Sequence, residues 1–257
     1  MIEVATLFSG SSGNSTLIRT EKTAVLVDAG RSCKAVCTSL GELGMSLDDI
    51  SCIFITHEHS DHISALDVMT RRHPVPIHVT AKSAREVCRM KDAAHRIVVH
   101  DTPDFQVRVG DIELTAFPLP HDSAAHVGYL AVSDDGDRAG VATDMGRIVP
   151  AALNNLSGCR QAVVEANHDE TMLRRGAYPY RLKQRILSDT GHLSNDTSAI
   201  LCRLLAESGT QRLMLAHLSL ENNDPDLAFS TVRRTLDSEG FSDVTLKVAP
   251  REHSLLL

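Results

Sequence analysis

No apolar run in this chain of 257 residues approaches the length needed to span a bilayer, and Glu3 comes too early for a secretory leader. Both absences argue against a membrane partner and set the expectation of a cytoplasmic protein. Six cysteines are present, at positions 33, 37, 52, 88, 159 and 202, but they form no C-x-x-C pair and no paired framework, in keeping with a reducing compartment. Cys52 and Cys202 lie in apolar periodic segments and read as small buried hydrophobes. A cationic excess is also missing. The 26 Lys and Arg stand against 33 Asp and Glu, for a net charge of −7, which argues against polyanion binding through the overall field. That count leaves room for a local basic patch and omits any bound metal ion. The remaining composition, 42% hydrophobic and 23% charged, is ordinary for a globular protein, and the length suits one domain, residues 1–257, with a substantial core.

Histidine, by contrast, is concentrated. His57-Glu58-His59-Ser60-Asp61-His62 places three imidazoles and Asp61 within six residues, directly after the apolar run Cys52-Ile53-Phe54-Ile55. A strand ending at Thr56 would carry the chain into a turn here. Side chains alternate along extended backbone, so His57, His59 and Asp61 can point the same way. Ser60 is a candidate N-cap, and a helix starting after it would bring His62 round to the same pocket. Imidazole and carboxylate suit zinc and other first-row divalent ions. With this chain's own His and Asp usage, H-x-H-x-D-H would arise by chance in roughly one such chain in several hundred. Four donors so close suggest two ions, with His57 and His59 on one and Asp61 and His62 on its neighbour. Six consecutive residues cannot surround two metals, so the rest of the chain must supply at least one more His and a carboxylate able to bridge.

The N-terminal half reads as closely spaced strands: Ile2–Phe8, Ser15–Arg19 and Ala24–Asp28, with Ser9-Gly-Ser-Ser-Gly-Asn14 as a hairpin connection. A helix over Lys34–Leu43 ends at Gly44. The strand Cys52–Thr56 leads into the histidine motif, then a helix over Ser60–Arg72 stopped by Pro74, and a further helix over Ala81–Met90. Short strands are expected at Ile77–Val79, Ile97–Val99, Phe105–Val109 and Ile112–Phe117. Asp134-Asp135-Gly136-Asp137 turns the chain between Val127–Val132 and Arg138–Thr143. The second half alternates strands at Ala162–Ala166, Arg212–Ala216 and Asp243–Val248 with helices at Pro150–Asn155, Asp169–Arg174, Pro179–Ser188, Asn195–Glu207 and Pro225–Glu239. Strands and helices in both halves suggest two packed sheets with helices outside.

Three further donors sit at or just past predicted strand ends: His121 after Phe117-Pro-Leu-Pro120, Asp144 after Gly140-Val-Ala-Thr143, and His217 after Leu213-Met-Leu-Ala216. Singly, each has a bland reading, as a surface His, a turn Asp and a core His, and His126 is a local rival to His121. Together, in this order, H57-x-H59-x-D61-H62, His121, Asp144 and His217 resemble the metallo-β-lactamase superfamily over essentially the whole chain. The resemblance implies an α/β (α+β) fold, a four-layer αββα sandwich. It implies two divalent ions, zinc first and manganese as the alternative: His57, His59 and His121 on one, Asp61, His62 and His217 on the other, Asp144 bridging. Asp28, in Leu26-Val-Asp-Ala-Gly30, matches the superfamily's first motif and is expected to orient a ligand His. Asp144 stands where many true β-lactamases have Cys, which argues against lactam hydrolysis. His59 stands where flavodiiron proteins have an acidic ligand, which favours a hydrolytic site over a redox one.

Ser9–Asn14, Glu165-Ala-Asn-His-Asp169, Gly191-His-Leu-Ser-Asn195 and His217-Leu-Ser-Leu-Glu-Asn-Asn223 resemble one branch, the WalJ/YycJ-type proteins. That likeness implies a phosphodiesterase or nuclease, a 5′-to-3′ exonuclease acting on DNA through a hydroxide held between the metals. His126 precedes Val127 where the branch leads one to expect an acidic-Pro pair, so it has no borrowed role. Read from the residues, His168 and His192 could give hydrogen bonds to phosphate or protonate a leaving oxygen, and Asp61 could orient the nucleophile as well as bind metal. Ser11 and Asn14 lie in a loop that could offer N–H groups to an anion. Arg174, Arg175, Arg181, Lys183 and Arg185 surround Tyr178 and Tyr180, two of only three tyrosines. Among them Arg181 and Arg185 are the candidate contacts to a nucleic-acid strand. The competing readings are a hydrolase of a small cyclic phosphodiester or thioester, and a non-catalytic metal-binding regulatory protein. A homodimer is compatible with the sequence, which does not fix the oligomeric state.

Overall fold

The computed structural model describes residues 1–257. The first half supplies β1 (Glu3–Phe8), β2 (Ser15–Arg19), β3 (Ala24–Val27), α1 (Cys33–Glu42), β4 (Cys52–Phe54), α2 (Ser60–Ile63), α3 (Leu66–Arg72), β5 (Ile77–Thr80), α4 (Ala84–Val87) and β6 (Ile97–His100). There follow β7 (Gln106–Val109), β8 (Ile112–Leu119), β9 (His126–Ser133), β10 (Arg138–Ala142), α5 (Pro150–Leu156), β11 (Gln161–Glu165), α6 (Glu170–Arg175) and α7 (Tyr180–Ile186). The chain finishes with α8 (Asn195–Glu207), β12 (Arg212–Ala216), α9 (Pro225–Ser238), β13 (Thr245–Val248) and β14 (Leu255–Leu256).

The strands form two seven-stranded sheets, ordered β14-β1-β2-β3-β4-β5-β6 and β13-β12-β11-β10-β9-β8-β7. Pairing is antiparallel from β14 to β3 and from β7 to β10, and parallel from β3 to β6 and from β10 to β13. Alternation along each strand feeds two cores at once. Val25 and Val27 of β3 face the space between the sheets, with Phe54, Leu114, Tyr129, Val141 and Met214. Leu26 faces outward, into a second core with Val36, Leu40, Leu66 and Met69. On the other sheet Val164 and Leu215 meet Leu156, Leu205, Val232 and Leu236 of the covering helices. Burial on both faces explains why these strands read as unbroken apolar runs. The fold is the expected αββα sandwich. Its parallel strands all end at one edge, where ligands gather in open α/β sheets.

Local differences from the sequence expectation have tertiary causes. The helix expected over Ser60–Arg72 is split into α2 and α3. Asn14 N donates to Asp61 O and Ala29 N to His62 O, while Ala65 N donates to Ala29 O; these bonds take the groups a continuous helix would use. Ser60 opens α2 instead of capping it, with His59 in the cap position and no side-chain cap bond. The helix expected at Ala81–Met90 shrinks to α4, because the Ser83 hydroxyl turns away to Glu58 and to Ala125 O. Two-residue β14 is too short to show a period.

Candidate metal centre

Beyond β4 the chain is still extended, and Thr56 anchors it by giving both its N–H and its hydroxyl to Asp28, at 2.8 and 2.9 Å. The next residue, His57, is fully buried. Its Nε2 lies 2.9 Å from Nδ1 of His59, as alternation requires of residues two apart. His121 follows β8 and completes this side, its ring 5.0 Å from that of His57 and 5.2 Å from that of His59. One nitrogen from each of the three lies within 4.8 Å of the others, a spacing that can hold a cation.

On the other side His62 gives its Nδ1–H to Asp28 at 2.7 Å, which turns Nε2 toward Asp61 (3.4 Å) and Asp144 (3.6 Å). His217 Nε2 stands 3.2 Å from Asp144 and 3.8 Å from Asp61. Asp61, His62 and His217 form one donor group, and His57, His62 and Asp144 another that links the two sides. Asp28, Asp144 and His217 have φ of 65°, 57° and 58°. Left-handed backbone at a non-glycine residue costs about 1–3 kcal/mol and persists where surrounding structure imposes it. Here the anchors include the Ser9 hydroxyl, which accepts from His217 N at 2.7 Å.

The electrostatics are those of an anionic pocket. Burial pushes the Asp144 carboxyl upward, but the imidazoles of His217, His62, His57 and His192 outweigh it and hold it well below the usual range. Burial likewise opposes charge on His62 and His217, yet Asp28 and Asp144 raise the first, and Asp144, Asp61 and Glu165 raise the second to about 10. His57 and His121 go the other way, lowered mainly by burial. Asp144 Oδ2 and His217 Nε2 are buried without a hydrogen-bond partner. Buried polar atoms are seldom left so, and a cation between them would satisfy both while displacing the imidazolium protons. The donor set therefore fits divalent ions.

Glu165, the last residue of β11, has no role of its own in the sequence reading, only a place in the motif Glu165-Ala-Asn-His-Asp169. Fully buried, it accepts from Met145 N and Leu193 N at 3.0 Å each, from His192 Nδ1 at 2.7 Å and from His217 Nδ1 at 3.0 Å. One carboxylate thus ties together the loops that follow β10, precede α8 and follow β12. Its signal was the one that marked Asp144 and His217, a polar donor ending an apolar strand.

The remaining expected contacts are redistributed. His192 reaches the site at its rim, with 18% of its side chain exposed. His168 does not: its ring is buried, neither nitrogen has a partner, and burial lowers it to about 4. Buried in this way, His168 is less well placed than His192 at the rim to protonate a leaving oxygen. Asn14 is also turned inward, its Nδ2 at 3.2 Å from Asp61 Oδ2 and 3.1 Å from His62 Nε2, so it holds donors in place; Ser11 remains exposed. Arg185 is ion-paired with Asp122 and Lys183 binds the carbonyls of Arg174 and Gly176, while Arg181 and Tyr180 stay exposed. His126 packs edge-on against His57 and donates to Thr143 O at 2.7 Å.

Comparison with known proteins gives consistent matches. Residues 23–218 match the beta-lactamase superfamily domain model. A protein of Bacillus anthracis described as exodeoxyribonuclease YycJ is 35% identical over 245 residues, covering 93% of this chain and 91% of its own. Exodeoxyribonuclease WalJ of Streptococcus pneumoniae serotype 2 is 36% identical over 233 residues, covering 88% and 85%. Among solved structures, the metallo-beta-lactamase fold protein YhfI from Bacillus subtilis aligns over 99% of both chains with a TM-score of 0.76 at 15% identity, a likeness of fold.

Proposed function

The chain belongs to the metallo-β-lactamase superfamily, and from that premise we propose that it is a metal-dependent exonuclease cleaving phosphodiester bonds of DNA from the 5′ end. The observation that carries this reading is the pair of donor groups joined through Asp144, with the Glu165–His192 pair beside it. Relatives covering most of the chain and described as exodeoxyribonucleases support the substrate class. All 257 residues act as one domain in this reading, since β14, near the C-terminus, completes the sheet through β1.

His57, His59 and His121 would hold one ion and Asp61, His62 and His217 the other, with Asp144 between. Divalent ions bound there supply a Lewis acid for phosphoryl oxygens and allow water to attack near neutral pH. The protein's own part is alignment and proton handling. Asp28 fixes the His62 ring so that Nε2 faces the centre. Asn14 restrains Asp61, which orients the attacking water. Glu165 holds the Nδ1–H of His192 and aims Nε2 at the site; when Nε2 also carries a proton, that proton can pass to the leaving oxygen, and the ring remains neutral with its Nδ1–H on Glu165.

The test is digestion of end-labelled single- and double-stranded DNA and RNA with zinc or manganese supplied, beside an Asp61→Ala control. Ordered shortening from a 5′ phosphate, absent in the control, is expected. If no polymer is cut while both metals are bound, the nuclease reading fails and a small phosphodiester or thioester becomes the better substrate.

A further inference from the structure

Next to the metal donors lies a cleft of ≈ 670 Å³, one wall of which is formed by α4 and by Lys82 and Arg89 on either side of it. Lys82, Arg85 and Arg89 line it together with Glu58, His59 and Ser60 of the histidine motif. The two carboxylates in this lining are already committed. Glu58 accepts from the Ser83 hydroxyl at 2.7 Å and from Ala124 N at 2.7 Å, and Glu86 is paired with Arg89. Lys82 and Arg85 are exposed and pair with no carboxylate. Two cations without an ion-pair partner thus share a cleft with His59 in a protein whose net charge is −7.

The cleft is held in register with the centre. Glu58 sits between His57 and His59, and its two oxygens bind Ser83 on one wall and Ala124 on the other. The 122–125 loop separates this cleft from α7, since Asp122 is tied to Arg185 and Ala124 to Glu58. A second large cavity, ≈ 900 Å³, lies at the opposite ends of the strands, and two of its arginines, Arg19 and Arg160, are paired with Glu3 and Asp137. The α4 cleft is therefore where free positive charge meets the metal donors.

We propose that this cleft is a backbone-phosphate subsite, in which Lys82 and Arg85 bind a phosphate of the polynucleotide adjacent to the one being cleaved. The assignment rests on the nuclease reading and specifies where its substrate runs. A strand seated here passes over His59 and Ser60 toward the centre, so the subsite acts on polymers and leaves a substrate with a single phosphodiester indifferent.

The experiment compares the full-length metal-loaded protein with Lys82→Ala/Arg85→Ala on a single-stranded DNA oligonucleotide and on bis(p-nitrophenyl) phosphate. With DNA, kcat/KM should fall about 10-fold at low salt, and the slope of log(kcat/KM) against log[salt] should flatten by about 0.7, the contribution of the one single-strand phosphate that the variant no longer neutralises. Hydrolysis of bis(p-nitrophenyl) phosphate should be unchanged, which also reports an intact fold and centre. Equal losses on both substrates would overturn the subsite, as would unchanged DNA cleavage by the variant. If the wild-type protein hydrolyses the small ester but no polynucleotide, the nuclease reading itself fails and the subsite with it. DNA cleavage by both proteins alike sinks the subsite alone.

Discussion

At the scale of single residues, the most connected group in the site is Glu165. Burial opposes its charge, but the neighbouring His192 and the hydrogen bonds from His192 and His217 pull it down to about 2. Because that pKa is depressed, the stabilisation it gives is present above the ordinary glutamate range, about pH 4.3, and fades only as pH falls toward 2. It is therefore ionised wherever the enzyme works. In Glu165→Gln one amide oxygen can still accept from Met145 N and Leu193 N, but the NH₂ then faces two ring nitrogens that were donating. Two effects should separate. Metal affinity should drop about 10–100-fold through the misplaced His217 ring, and turnover at saturating metal should still be down about 100-fold because His192 has lost its orienting carboxylate. Metal titration followed by turnover at saturation measures both. Full turnover once metal is restored would confine Glu165 to holding His217.

At the scale of elements, the donors were legible wherever chemistry sat at the end of an apolar strand or within one motif. His57 to His62, Asp144 and His217 all have that form, and the structure gathers them at one edge. Glu165 ends β11 in the same way, yet the polar residues after it drew attention to His168. The α4 cleft was not legible, because Lys82, Arg85 and Arg89 are spaced like a solvated helix face and meet His59 only through the tertiary bonds of Glu58. The split between α2 and α3 was hidden for a related reason, since its cause is backbone pairing with Asn14 and Ala29. That pairing needs close approach at Gly30, where an added Cβ would stand 1.9 Å from Asp61 O and 2.6 Å from Asn14 N. Gly30→Ala must push the β3 exit away from the turn that carries Asp61 and His62. The expected result is native-like circular dichroism with metal affinity lowered about 10-fold or more, read by titration against a competing chelator. Wild-type affinity in this variant would show that the turn holds its shape without this close approach.

At the scale of the whole molecule, the centre straddles the two sheets. His57, His59, Asp61 and His62 follow β4, while His121, Asp144 and His217 follow β8, β10 and β12, so the sheets must not slide. The opposite end of β10 carries the restraint. Asp137 accepts from Ile2 N at 2.7 Å and from Arg160 Nε and a terminal nitrogen at 2.9 and 2.7 Å, and Arg160 also donates to Ile2 O at 2.6 Å. A bidentate pair fixed to backbone, with only 10% of the Asp137 side chain exposed, is stronger than a surface salt bridge. Asp137→Asn should destabilise the protein by about 1–3 kcal/mol, lowering Tm by roughly 2–10 °C for a chain of this size. Burial raises the Asp137 pKa, but the bonds from Arg160 and Ile2 N–H outweigh it, and the net shift is downward. The clamp therefore contributes fully above about pH 4 and is lost as pH falls through the lowered pKa. The Tm gap between wild type and variant should be wide at pH 7 and should narrow progressively as pH falls below 4. Melting in the presence of a chelator keeps metal binding from masking the difference. Because clamp and centre occupy opposite ends of the same strand, turnover at 25 °C should match wild type. A variant that melts normally, or whose Tm gap does not narrow as pH falls below 4, would show that the sheets are held in register by their shared core alone.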